Sequence, residues 1–348
     1  MKKLVAALMT ATLLLTFTGC GDHSHTETTT EATSTAGVNA EADQVIEENS
    51  TIKVQSLNGN DEMVEVEVPF DPQRIAVVDM AMLDIIDSLG LGDRVVGSSQ
   101  TKLDYLQKYT TTDGIKNLGS IKEADMEAVM ECEPELILMG GRMSEYYDKL
   151  VEIAPVVRLT IEDGVGTLEG TKKNAHAVAA IFGKEAEVDA MFTDYEARIE
   201  KLKEVANGQD ALVGLCTSGS FNVIGDNGRC SIIGNEIGFE NVGNAAAEEA
   251  AKEKEQGNSS AHGNEASFEL IADLNPAYIF VLDRDAAIGT NGAQLAKDIM
   301  ENELVMGTDA YKNGNLVIFE NPAVWYTAEG GVTALGTMLA DVESALLK

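Results

Sequence analysis

The sequence predicts an α/β protein built as two doubly wound, Rossmann-like lobes joined by a single long α-helix. Three observations predict it. Short apolar runs rich in Val, Ile and Leu alternate with segments of helical spacing, as parallel sheets wrapped by helices require. One long amphipathic stretch separates two such alternating halves. An eighteen-residue pattern then occurs once in each half: DMEAVMECEPELILMGGR at 125–142 aligns without a gap to SFELIADLNPAYIFVLDR at 267–284. In that alignment Glu127 matches Glu269, Pro134 matches Pro276, Ile137 matches Ile279 and Arg142 matches Arg284.

The elements follow in chain order. Residues 1–20, MKKLVAALMTATLLLTFTGC, place Lys2 and Lys3 before an apolar run, Leu4 to Phe17, too short to span a bilayer, with small residues before Cys20. This resembles a bacterial lipoprotein signal, which implies cleavage before Cys20 and lipid on its sulfur. Residues 21–50 hold Thr, Ser, Glu and Ala without an aromatic and cannot bury enough surface to fold, so they read as a flexible tether with His23 and His25 solvated. The first lobe is expected at 51–183. It opens with two alternating runs around Asn58-Gly59, a hairpin signal. RIAVVD (74–79) reads as a buried strand, MLDIIDSLG as a helix stopped by Gly90, and RVVGSS (94–99) as a strand. GLGDRV lacks the third glycine of a dinucleotide fingerprint and follows a helix, so it reads as a helix end. ELILMGG, a helix near 144–152, PVVRLT and a helical stretch through AHAVAAIFG complete the lobe.

The connecting helix is placed at 184–207, where Val188, Met191, Phe192, Tyr195, Ile199, Leu202 and Val205 recur at three- and four-residue steps on one face. The second lobe is expected at 208–348: strands ALVGLC, FNVIG, AYIFVLD and NLVIFE, a helix near 231–238 and a closing helix from about 330. Cys132, Cys216 and Cys230 sit in apolar runs and read as small core residues; a bridge between Cys216 and Cys230 cannot be placed from sequence alone.

Composition narrows the function. Only 25 Lys and Arg face 58 Asp and Glu, a formal net charge of −33, which disfavours nucleic acid and anionic membrane surfaces as partners. GxSxG, HExxH and phosphate-loop motifs are absent, so an exported hydrolase is a weak alternative and the chain reads as a non-enzyme. Only His176 and His262 stand in the folded body, too few nitrogen donors for a dedicated zinc or manganese site.

The order and spacing of RIAVVDMAMLDIIDSLGLGDRVVG, the GGR at 140–142, IGDNGRCSIIGNEIGF, AHG, YIFVLDR and VWY resemble the substrate-binding lipoproteins of ABC importers for ferric siderophores, haem and cobalamin. Within this class III periplasmic-binding-protein fold the residues look most like the ferric-catecholate branch. The resemblance implies a ligand cleft between the lobes, lined by Arg142, Arg229 and Arg284, with His262 and Tyr326 as iron ligands. It further implies permease docking through Glu127 and Glu269, no intrinsic cofactor, a monomer, and a location outside the cytoplasmic membrane, anchored by lipid on Cys20. Chemistry agrees with the cargo: a ferric catecholate complex is anionic and presents flat rings edged with oxygens, and guanidinium stays charged, donates in a planar fork and stacks on aromatic faces. In open α/β sheets ligands gather beyond the carboxyl ends of strands, where Arg142 and Arg284 stand. Haem, cobalamin or a hydroxamate siderophore are the alternative cargoes; three arginines match a largely apolar macrocycle poorly.

Overall fold

The computed structural model describes residues 50–162, 164–255 and 268–347. The signal and tether, with Cys20, fall outside them. The first described element is a hairpin, β1 (Thr51–Leu57) paired antiparallel with β2 (Met63–Pro69). Its tip is wider than a two-residue Asn-Gly turn: the Asn58 side chain accepts from the Asn60 and Glu62 amides, and Asp61, not Gly59, takes the positive φ. β3 (Ile75–Val77), β4 (Val95–Ser98), β5 (Lys116–Asn117), β6 (Leu136–Met139) and β7 (Val156–Arg158) then form a wholly parallel sheet in the order β5-β4-β3-β6-β7. Strands covered on both faces must be apolar throughout, and every residue of β3 and β6 is buried. The hairpin is tied to β7 by buried Arg158, which donates to the Asn58 and Gly140 carbonyls and to Asp61.

Local chemistry fixes the helix ends. Asp79 ends the first strand run and caps the helix Met80–Ser88, accepting from the Ala81 and Met82 amides. The GLGDRV stretch that follows is a helix end continued by a short 3₁₀ turn, Gly92–Arg94, leading straight into β4. The expected helix near 144–152 is a 3₁₀ turn, Ser144–Tyr146, running into one α-turn, Tyr147–Leu150.

The helix Glu185–Ala206 leaves the first sheet and ends where Asn207 and Gly208 both take positive φ. It buries Val188, Phe192, Ile199, Leu202 and Ala206; Met191, Tyr195 and Val205 are only partly covered. Beyond it β8 (Asp210–Thr217), β9 (Ser220–Val223), β10 (Glu240–Asn241), β11 (Tyr278–Asp283) and β12 (Leu316–Ile318) build a second sheet in the order β10-β8-β11-β12. FNVIG, expected in a parallel sheet, runs antiparallel to β8 instead. The reason is the two-residue link: Ser218 and Gly219 both have positive φ, the geometry of a tight hairpin, whereas a parallel return needs a crossover of a dozen residues.

The repeated pattern is realised element by element. The helix Met126–Glu131 and the helix Phe268–Leu274 each lead, through a left-handed residue before proline (Glu133 before Pro134, Asn275 before Pro276), into the matching strands β6 and β11. The last helix, Val332–Leu346, crosses back. It packs on the helices Met80–Ser88, Thr167–Ala180 and Glu185–Ala206, beside the first sheet. Buried Asp84 caps it, accepting from the Thr333 and Ala334 amides at 2.7 and 2.9 Å. A division that assigns all of 208–348 to one lobe does not anticipate this return.

Candidate ligand site between the lobes

Arg142 lies just past β6, after Gly140 and Gly141. A side chain at Gly140 would collide with the Asp79 carboxylate at 2.4 Å, so glycine lets the chain pass that cap and deliver Arg142 to the lobe interface. Arg284 stands at the matching point of the second lobe, opening the helix Arg284–Ile288 immediately after β11. Arg229 comes from the loop after β9. The short helix Pro322–Thr327 lies between them, started by proline in its first turn. Its position is held from behind: Trp325 is fully buried, stacks on Phe319 at 3.9 Å, and donates from Nε1 to Asp341 at 2.9 Å.

The three arginines meet on Tyr326. Arg142 donates from Nη2 to the Tyr326 carbonyl at 2.8 Å and from Nη1 to the Thr327 carbonyl at 3.4 Å. Arg229 donates from Nη1 to the same Tyr326 carbonyl at 2.8 Å, and its guanidinium lies 4.5 Å from the Tyr326 ring centre. Arg284 donates from Nε to the Tyr326 hydroxyl at 3.0 Å and from Nη1 to Thr217 Oγ1 at 3.1 Å, 5.5 Å from the ring centre. Two of the three thus serve carbonyls at a helix C-terminus, where cations are favoured. Each keeps close to 30% of its side chain exposed (29, 29 and 28%), so all three remain open to a ligand.

Each guanidinium also has a carboxylate at ion-pair distance, and Arg229 donates a long hydrogen bond to Glu329. The shortest separations are 3.8 Å from Arg142 to Asp79, 3.5 Å from Arg229 to Glu329 and 3.6 Å from Arg284 to Asp285. Burial pushes the carboxyls of Asp79 and Glu329 above their ordinary range, against the pull of Arg142 and Arg229, so each holds a proton more readily and is a weaker counter-charge. At Tyr326, burial alone would raise the phenol. The hydrogen bond and charge of Arg284, then the charges of Arg229 and Lys122, outweigh burial and hold it below its ordinary value. Such a phenol gives up its proton more easily, as bonding to a hard cation requires.

A cavity of about 450 Å³ opens beside Arg142 and Arg229, lined also by Asp79, Thr160, Asn227 and Glu329. The arrangement can hold a flat anion by forked hydrogen bonds and ring stacking. Lys122, Thr217 and Glu329 are site residues that sequence reading missed: Lys122 and Glu329 lie in loops, and Thr217 closes the apolar strand β8. His262 lies outside the described residues. Among the described residues no group of three or more His, Cys, Asp or Glu side chains could hold a metal ion. Cys132, Cys216 and Cys230 are free and buried, so no Cys216–Cys230 bridge forms. Glu127 and Glu269 are exposed and belong to neither the cluster nor the cavity.

Residues 75–323 match the family described as periplasmic binding protein. The chain belongs to that family. It is 31% identical, over the full length of both chains, to the petrobactin-binding protein YclQ of Bacillus subtilis. The crystal structure of that protein superposes with a TM-score of 0.73 at 30% identity, covering 85% of this chain and 99% of the other. The periplasmic catecholate-siderophore binding protein VctP of Vibrio cholerae superposes with a TM-score of 0.72 at 30% identity, covering 84% of this chain and all of its own. The two-sheet architecture of the periplasmic binding protein family is therefore the frame that brings Arg142, Arg229 and Arg284 together.

Proposed function

We propose that this periplasmic binding protein captures an anionic ferric siderophore of the catecholate type and delivers it to an ABC importer. The observation that carries the reading is the convergence of three guanidinium groups, one from the first lobe and two from the second, on a single tyrosine at the lobe interface. A charge-assisted hydrogen bond contributes about 1.5–3 kcal/mol net and a desolvated cation–π contact about 2 kcal/mol. Three arginines can therefore supply a large part of the roughly 8 kcal/mol behind micromolar binding. The names of the relatives, petrobactin-binding and catecholate-siderophore binding, point to the same cargo class.

The finer assignments belong to the same proposal. Arg142, Arg229 and Arg284 hold the catecholates. Tyr326 and His262 complete the iron's coordination when a siderophore brings only two catecholates, since Fe³⁺ prefers oxygen donors and accepts imidazole. Glu127 and Glu269 dock the importer, and lipid on Cys20 keeps the protein at the outer face of the cytoplasmic membrane; no described helix is long and apolar enough to cross one. The role is binding, without turnover of the cargo.

Titration calorimetry with ferric catecholates, ferric hydroxamates, haem and cobalamin tests the reading. Catecholates are expected to bind at least tenfold more tightly than the other three. Preferential binding of haem or cobalamin would overturn it.

A further inference from the structure

The helix Thr167–Ala180 carries a buried polar stripe that is short of partners. Thr167, Thr171 and Asn174 follow one another at four- and three-residue steps and are 2, 0 and 5% exposed. Thr167 Oγ1 lies 3.2 Å from Ser231 Oγ of the second lobe. Neither the Thr171 hydroxyl nor the Asn174 carboxamide has a hydrogen-bond partner among the described residues. Buried polar groups are almost always paired, so each exception calls for a missing partner. Thr167 and Asn174 line the 450 Å³ cavity beside Arg142 and Arg229, and the unpaired carboxamide therefore borders space that a ligand can enter. That cavity meets a second one, of about 710 Å³, along Asp226, Asn227 and Asn235. Glu169, Glu236 and Glu248 line the second cavity, and none of its described lining residues is Lys, Arg or His. Glu236 accepts from the Leu168 amide at 2.8 Å through Oε1, while its Oε2 is buried without a partner.

The two sets of lining groups ask for opposite chemistry. Guanidinium groups take catecholate oxygens. Unpaired acceptors among carboxylates repel a further anionic oxygen and are satisfied by N–H donors, best by charged ones. We infer that Asn174 and Glu236 mark an annex of the cargo site, which holds a protonated amine in the linker that joins the catecholates. The ammonium N–H groups donate to the unpaired oxygens, and the positive charge offsets the carboxylates around them. A bare metal ion fits less well: among the described residues no group of three or more His, Cys, Asp or Glu side chains could hold one. The inference rests on the proposed catecholate cargo and adds to it the chemistry of the linker.

Calorimetry on the full-length chain tests this with two synthetic ferric complexes. Each joins two catecholates through linkers of equal length; one linker carries a secondary amine where the other has a methylene. The parent should bind the amine complex about tenfold more tightly. Asn174→Leu removes the carboxamide while keeping its branched shape and changing no charge, and should cut that ratio to about threefold. Glu236→Gln should do the same, and the double variant should bring the ratio to about one. Folding is checked by thermal melts, since an apolar replacement of an unpaired buried amide should leave the melt unchanged or higher. If Asn174→Leu does not fold, Asn174→Ala reads the same ratio. A parental ratio near one, or a tenfold preference kept when Asn174 is replaced, overturns the annex and leaves Asn174 serving water or the core; the catecholate reading then stands. If the parent binds neither complex, the catecholate reading itself falls and the annex with it.

Discussion

At Arg229 the guanidinium stacks on the Tyr326 ring and donates to its carbonyl, two tasks that need a planar fork. Arg229→Lys keeps the charge and loses both, so catecholate affinity measured by calorimetry should fall about tenfold; an unchanged value would reduce Arg229 to a mere positive charge. Tyr326→Phe removes the hydroxyl held by Arg284. If that oxygen bonds iron, the loss should be larger for a two-catecholate complex than for one already six-coordinate, and equal losses would show that Tyr326 only positions Arg284. Asp84 governs stability rather than binding. Burial raises its carboxyl to about 6, although Tyr105 and the Thr333 and Ala334 amides donate to it. The folded state then keeps a proton that the unfolded chain releases above about pH 4, so this group's contribution falls as pH rises from about 4 to 6, by on the order of 3 kcal/mol. Asp84→Asn should flatten the Tm profile across that interval while leaving other titrations in place.

Among the elements, the helix Pro322–Thr327 matters most because its terminal carbonyls and ring seat three cations. Asp341 anchors it, accepting from the Asn321 amide at 3.0 Å, the Asn321 side chain at 2.6 Å and Trp325 Nε1 at 2.9 Å. Asp341→Ala strands the buried Trp325 Nε1 donor and frees the two donors of exposed Asn321, and should cost about 1–3 kcal/mol, seen in denaturant unfolding, with weaker cargo binding as the helix loosens. Most elements could be read from the chain because apolar runs and their periods change sharply at 74–79, 185–206 and 278–283. The strand direction of Ser220–Val223 could not: nothing in a β run records its partner, and only the backbone of Ser218-Gly219 decides it. The strand-end arginines were readable because their position follows from topology. Lys122 and Glu329 were not, because proximity between distant loops leaves no trace in spacing.

Over the whole molecule, the final helix is a strap. It starts beside the helix Pro322–Thr327, on the second lobe's side, and lies down on the first, with Arg198 binding Glu343 through two bonds of 2.8 Å. Its residues Leu335, Met338, Leu339 and Val342 are buried in a core shared with Ile85, Ile86 and Phe192. A chain stopped after Gly331 should therefore unfold at markedly lower temperature by calorimetry, with the first lobe affected as strongly as the second. Retention of a parental melt would show that the strap adds nothing to that core. The lobe count was visible from alternation and from the repeat, but the crossing of 332–346 was hidden, since an amphipathic helix states that it has a buried face without naming the surface that covers it.

The Tyr326 carbonyl receives two cationic donors at 2.8 Å. An incoming anion does not meet bare charge; it must outcompete an oxygen already well served. Chloride, a single-centre acceptor, gains little by that exchange, while a broad multi-oxygen complex that also covers the ring gains much. A cluster built this way discriminates against common salts and favours a broad, multi-oxygen anion.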